Sequence, residues 1–179
     1  MPMGIGRLGA PDIIIKRKFR WTLEITTPCG NVPKHYVKLA ARPSLDIDEI
    51  ELNFLNATTW APGKGKWQPI NVTYVDVASQ EMVGLYSWIA TVYDFTDPFN
   101  LRQSEKAGWN GTALLTMYDG CGKQIENWLL QSCWPQSVNF GDLDYSSSDE
   151  ATIELTLRYS DVRYQSTCGG NPIPCCRGC

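Results

Sequence analysis

Four cysteines crowd the last twelve residues of this 179-residue chain: Cys168, Cys175, Cys176 and Cys179. Their C-x6-C-C-x2-C spacing offers four thiolates, the number that closes a structural zinc site. It lacks the paired C-x2-C of a zinc ribbon. The same thiols suit a tail that stays reduced inside a cell and oxidises outside one. Cys29, Cys121 and Cys133 bring the total to seven, so complete internal pairing is impossible. Zinc, free thiols and disulfides all stay open for the tail. A second group of reactive types is the carboxylate run Asp46, Asp48, Glu49 and Glu51, which contains no base. It fails the calcium-loop pattern, which needs Gly at the sixth position and Glu at the twelfth. Asp46 and Glu51 as acid and base of a jelly-roll hydrolase have no sequence signature to support them.

Other chemistry is excluded more firmly. Gly63-Lys64-Gly65-Lys66 has the residue types of a phosphate loop, but Trp67 stands where Ser or Thr is required and a strand follows instead of a helix. His35 is the sole histidine and lies in an alternating stretch, so it reads as packed or solvated rather than catalytic. There is no G-x-S-x-G nucleophile turn. The expectation is no catalysis, no metal and no cofactor. A net charge of −3 and a pI near 5.2 exclude a generally basic nucleic-acid binder. Charge is nonetheless segregated. Lys16, Arg17, Lys18 and Arg20 cluster early, whereas residues 46–51 and 142–154 are acidic throughout. Surfaces of opposite sign suit a protein that sets register by self-assembly. No apolar run approaches the roughly 20 residues of a membrane span, and the first residues lack a signal-peptide core.

The elements that must position these residues are mostly strands. Residues 18–27 alternate, with Phe19, Trp21, Leu23 and Ile25 on one face. Pro28-Cys29-Gly30-Asn31 is a turn, and His35, Val37 and Leu39 begin a second strand that Pro43 ends. Residues 49–56 place Ile50, Leu52 and Phe54 opposite Glu51 and Asn53. Residues 67–76 place Ile70, Val72 and Tyr74 opposite Asn71 and Thr73. These two strands read as a long hairpin whose extended tip, residues 57–66, is a Pro-, Gly- and Lys-rich loop. The period changes to three and four at Met82, Leu85, Tyr86 and Ile89, which predicts a helix over about 79–93 with Ser79 as N-cap. A long loop over 94–110 follows. Asp119-Gly120 then predicts a second hairpin between 111–118 and 123–134. After a polar loop over 135–149 comes a last strand at 151–159, with Ile153, Leu155, Leu157 and Tyr159 inward. Six or seven strands and one helix predict a mainly β two-sheet sandwich or open barrel. The predicted organisation is a β domain over 1–166 and a cysteine-rich extension over 167–179.

The order of motifs adds to this reading. WTLEI is followed by Cys29-Gly30-Asn31 and then HYVKLAARPSLDIDEIELNFLN. Pro62-Gly63-Lys64-Gly65-Lys66-Trp67-Gln68-Pro69-Ile70 precedes NVTYVD. After the helix come Trp109-Asn110-Gly111 and a block ending GDLDYSSSDEATIELTLRYSDV. In these features the chain resembles the tail tube proteins of contractile-tailed bacteriophages of the T-even type. The resemblance covers about residues 15–163, and the cysteine tail has no counterpart in it.

The resemblance implies a structural virion protein made in the bacterial cytoplasm. Homohexameric rings would stack into a tube, with four strands per protomer joining into one β-barrel around the lumen. A sheath protein, a tape-measure protein, a baseplate hub and a tail terminator would be its partners. Double-stranded DNA would pass through without specific binding, and the subunit itself would not insert into a membrane. On that basis Glu51, Asn53, Asn71 and Thr73 are expected to face the lumen. Trp60, Lys64 and Lys66 belong to a loop expected to touch the next ring, with Trp60 as an anchor or packed on its own loop. Lys16, Lys18 and Arg20 are expected outside, at the sheath or a neighbouring protomer. Cys168, Cys175, Cys176 and Cys179 are candidates for disulfides in the mature particle. A tube protein of a related injection device, a bacteriocin or secretion system, has the same expected ring with different cargo. A secreted carbohydrate-binding β-sandwich is the alternative from another class.

Overall fold

The computed structural model describes residues 16–95, 106–168 and 171–172. Alternation alone builds the first strand, β1 (Trp21–Thr27), which buries Leu23 and Ile25 and exposes Glu24. Phe19, assigned to the same face from sequence, precedes the strand and is exposed. A tight turn leads into β2 (Gly30–Val32), and Gly30 supplies the positive φ that the turn needs. His35 lies in a 3-10 turn over Lys34–Tyr36 rather than in a strand, because Pro33 breaks the ladder just before it. It is exposed. The strand proper, β3, covers only Val37–Ala40.

The predicted hairpin over 49–76 is not the pairing the chain adopts. β4 (Leu45–Phe54) turns at Leu55-Asn56 and returns as β5 (Ala57–Trp67), so residues 57–66 are a strand and not a loop. β6 (Ile70–Val75) leaves that hairpin altogether and pairs with β3 and, later in the chain, with β9 (Thr152–Arg158). The physical reason lies in a β-bulge. Ile47 pairs with Gly65 and Glu49 with Pro62, so Asp48 alone faces Gly63 and Lys64. A Cβ on Gly63 would meet the Asp48 carbonyl oxygen at 2.9 Å, so the close approach demands glycine. Pro and Gly are here the marks of a bulged edge, not of a loop.

Helix α1 (Met82–Val92) buries Met82, Leu85, Trp88 and Ile89. It begins at Met82 rather than 79, and the Ser79 oxygens accept from the Met82 amide just ahead of it. Short helix α2 (Lys106–Trp109) takes part of the predicted 94–110 loop, and its Trp109 carbonyl accepts from the Trp88 indole at 2.8 Å. β7 (Gly111–Tyr118) and β8 (Gln124–Asn139) form the second hairpin. β8 is longer than the sequence suggests and runs into the supposed polar loop. It kinks at Ser132, whose φ is +55°, and this lets one strand serve two sheets. Its first half pairs with β7 and with β10 (Asp161–Cys168), and its second half pairs with β9. β10 and the two-residue β11 (Asn171–Pro172) were not foreseen, since Asp161–Cys168 holds no apolar run.

The result is mainly β, with two sheets around one core and a single long helix, as the sequence predicts. One sheet runs β2-β1-β7-β8-β10 and the other β8-β9-β6-β3. Leu23, Ile25, Ile70, Val72, Tyr74, Leu130, Ile153, Leu155 and Leu157 meet between them, with Trp88 of the helix. Among the described residues, no helix is long and apolar enough to cross a membrane.

Candidate assembly interface

Three surfaces stand out, and the first is the β4–β5 hairpin. Every residue of β4 is exposed, and the hairpin forms its own two-stranded sheet. Strict pairing sorts its side chains. Ile50, Leu52 and Phe54 share one face with Ala57, Thr59 and Ala61, while Glu49, Glu51 and Asn53 share the other with Thr58, Trp60 and Pro62. The face assignment made from sequence for β4 therefore holds. Ile50 and Leu52 are each 50% exposed and Phe54 is 76% exposed, so an apolar stripe lies open to water. Trp60 opposes Glu51 and is 58% exposed, which leaves it projecting rather than packed on its own strand. Lys66 opposes Asp46, and Lys64 sits in the bulge.

The root of the hairpin is fixed. Gln68 donates its amide N–H to the Ser44 carbonyl at 3.0 Å and its side-chain Nε2 to Asp46 at 2.6 Å. The Tyr159 hydroxyl donates to the Gln68 carbonyl at 2.6 Å, and the Tyr159 ring lies 6.4 Å from that of Trp67. Burial, with the nearby Cys133 sulfur, pushes the Tyr159 phenol up to about 12, so it stays a donor at physiological pH.

The second surface is the outward face of the sheet β8-β9-β6-β3. Asn71 and Thr73 project there as expected, beside Thr156 and Glu154 of β9. Thr156 donates its hydroxyl to Asn71 Oδ1 at 3.1 Å. Arg158 shares the row by alternation, so the face is not free of base at its end. Glu51 and Asn53 belong to the separate β4–β5 sheet, and Thr58 donates to Asn53 Oδ1 at 2.9 Å. The four residues expected to act together are thus split two and two between separate sheets.

The third surface is a cleft of roughly 550 Å³ where the sandwich opens. Trp21, Leu115 and Met117 form its floor, and Lys16, Lys18, Lys38 and Arg42 line it. Beneath it lies Glu126, whose side chain has no solvent exposure. Burial pushes its carboxyl up, but donors from Lys16, Trp128 Nε1 and Arg42 outweigh burial and hold it below the usual carboxylate range. Sequence reading missed Glu126 and Arg42. No local signal marks them, because the partners lie 84 and 110 positions apart. Arg20 stacks its guanidinium 5.3 Å from the Phe19 ring.

Among the described residues, the catalytic arrangements weighed from sequence are not brought together. Asp46 and Glu51 lie an odd number of residues apart on β4 and so face opposite ways. The Gly-Lys repeat is inside a strand, not between a strand and a helix. Among the described residues no cluster of His, Cys, Asp and Glu could hold a metal. Cys29 and Cys121 are exposed and free, and Cys133 is buried and free. Cys168 lies at the end of β10, and its side chain, like Cys175, Cys176 and Cys179, falls outside the described residues.

No family model matches the sequence, and no curated protein matches it either. Solved structures do. A chain of the anti-feeding prophage tube-terminating cap superimposes with a TM-score of 0.67 at 18% identity, covering 89% of this chain and 99% of that one. A chain of the sheath–tube complex of an extracellular contractile injection system, PVC, gives 0.62 at 19% identity, covering 93% and 100%. The chain has the tail-tube fold. A mutant of Hcp1 from E. coli, pathovar EAEC 042, shares that tail-tube fold more distantly, with a TM-score of 0.51 at 13% identity over 86% of this chain and 96% of that one. At these identities the likeness concerns fold, while the hairpin, the open sheet and the basic cleft are properties of this chain's own residues.

Proposed function

We propose that the chain is a non-enzymatic subunit of the inner tube of a contractile injection apparatus. The observation that carries this reading is the sheet β8-β9-β6-β3, which among the described residues has four strands and two unpaired edges, at β3 and at the second half of β8. Open edges invite pairing with another chain. Joining β3 of one copy to β8 of the next closes a ring without free edges, and six copies give a barrel of about twenty-four strands, wider than porin channels of 16–18. The outward face of that sheet then lines the lumen with Asn71, Thr73, Glu154 and Thr156. Such a face does not grip a polyanion, whose binding depends on Lys and Arg contacts to phosphate. Arg158 ends that row, and Lys38 of β3, paired with Glu150, is a second base on the same sheet.

In a phage tail this tube is a virion component. It carries the tape-measure protein and later double-stranded DNA, inside a sheath and between a baseplate hub and a terminator. The solved structures of similar fold favour a second reading with the same ring, since they belong to the anti-feeding prophage and to an extracellular contractile injection system. In that reading the cargo is an effector, or absent, in place of DNA. Both readings predict that sedimentation of the purified chain at rising concentration passes from one to six times 20.1 kDa and then to longer stacks. A single monomeric boundary at every concentration contradicts both.

A further inference from the structure

The β4–β5 hairpin meets the body through two short arms, residues 42–44 and 68–69. Each arm carries a proline, Pro43 or Pro69, which has no amide hydrogen to donate. The β3–β6 and β4–β5 ladders therefore stop on either side of the arms and do not run through as one sheet. The Gln68 amide donates to the Ser44 carbonyl at 3.0 Å, so the arms move as a unit. β4 is exposed along its whole length and gives the hairpin no bed to rest on. Two contacts hold the arms, and they come from different sheets. Arg42 donates to Glu126 in the first half of β8, which pairs with β7 and β10. The Tyr159 hydroxyl, just past β9 in the other sheet, donates to the Gln68 carbonyl at 2.6 Å, and its ring stands beside Trp67.

We propose that Glu126 and Tyr159 are positioning residues, a two-point latch that sets the direction of the β4–β5 hairpin relative to the body. A buried carboxylate is a poor choice for stability alone, because taking ions out of water offsets much of their attraction. What it supplies is one fixed geometry. The Glu126 side chain has no solvent exposure, and the Trp128 indole orients the oxygen that Arg42 also reaches. The other oxygen holds Lys16, so the entry to β1 and the root of the hairpin share a single carboxylate. With both contacts closed, hairpin and body are one rigid piece. With either open, the arms bend and the hairpin swings about them, as hinge segments allow. The latch belongs to the single chain and stands apart from the tube reading.

Residual dipolar couplings of backbone amides, measured on the dilute chain, read the direction and freedom of the hairpin against the body. In the parent chain one alignment tensor fits both. Arg42→Gln opens the first contact from its half-exposed side and leaves Glu126 to Lys16 and Trp128. Tyr159→Phe removes the hydroxyl and leaves the ring beside Trp67. Either change reduces the alignment of the β4 and β5 amides relative to the body by about twofold or more, and the double variant by more than either alone. Couplings within the body stay as in the parent, and circular dichroism checks that each variant folds. A parent hairpin that needs a tensor of its own overturns the latch. So does a double variant in which hairpin and body still share one. A lower thermal midpoint with unchanged relative alignment assigns both residues to stability alone and overturns it as well.

Discussion

At Glu126 a carboxylate without solvent exposure is held by Lys16 from the start of the described chain, Arg42 from the segment before β4, and the indole of Trp128. Its folded pKa is lowered, so its stabilisation is complete above the ordinary value of about 4.5 and is lost as pH falls through the folded one. Glu126→Gln should cost about 1–3 kcal/mol at pH 7, since the hydrogen-bonding shape survives while the charge does not. The gap from the parent chain, measured by urea unfolding, should shrink as pH falls from 5 toward 2. An equal gap at both ends contradicts the ionic role. The cysteines give a second prediction. Burial pushes the Cys133 thiol up to about 12, while Cys29 and Cys121 are exposed. A thiol reagent at pH 8 should label Cys29 and Cys121 in the native chain and reach Cys133 only after unfolding. Mass mapping of labelled peptides reads this directly. None of the Glu126 cluster was legible in the sequence, because long-range ion pairs leave no local pattern. The buried faces of β1, β6 and β9 were legible, because burial on one side of a strand imposes period two.

Among the elements, β5 carries the clearest lesson. Its Pro62, Gly63 and Gly65 read as loop residues, yet they serve a bulge against Asp48. Alternation broke at the bulge, so the pairing partner of β4 was misassigned to β6. Gly63→Ala should drive its Cβ into the Asp48 carbonyl and loosen the hairpin without unfolding the body, whose core does not include it. Hydrogen exchange should accelerate across Ile47–Gly65 while the thermal midpoint stays within about 4 °C, the shift that 1 kcal/mol produces in a domain of this size. A large drop in midpoint contradicts the independence of the β4–β5 hairpin from the body. β8 shows the converse case. Its kink at Ser132 has no residue signal such as glycine, so its passage between sheets was not foreseen.

For the whole molecule, the two-sheet architecture is legible from strand spacing and the single helical period, and motif order resembles that of tube proteins. The free edges at β3 and β8 were not legible, because edge status is a property of pairing and not of composition. They nonetheless carry the functional account. The acidic balance of the chain resolves into unlike surfaces: a cationic cleft, an acidic hairpin and a nearly neutral outward sheet. The most direct measurement is electron microscopy of the purified full-length chain at high concentration. The account predicts rings of six-fold symmetry, stacking into tubes, in which β3 of one subunit pairs with β8 of the next and Asn71 and Thr73 face the lumen. Rings closed by other surfaces, or isolated monomers throughout, would contradict it.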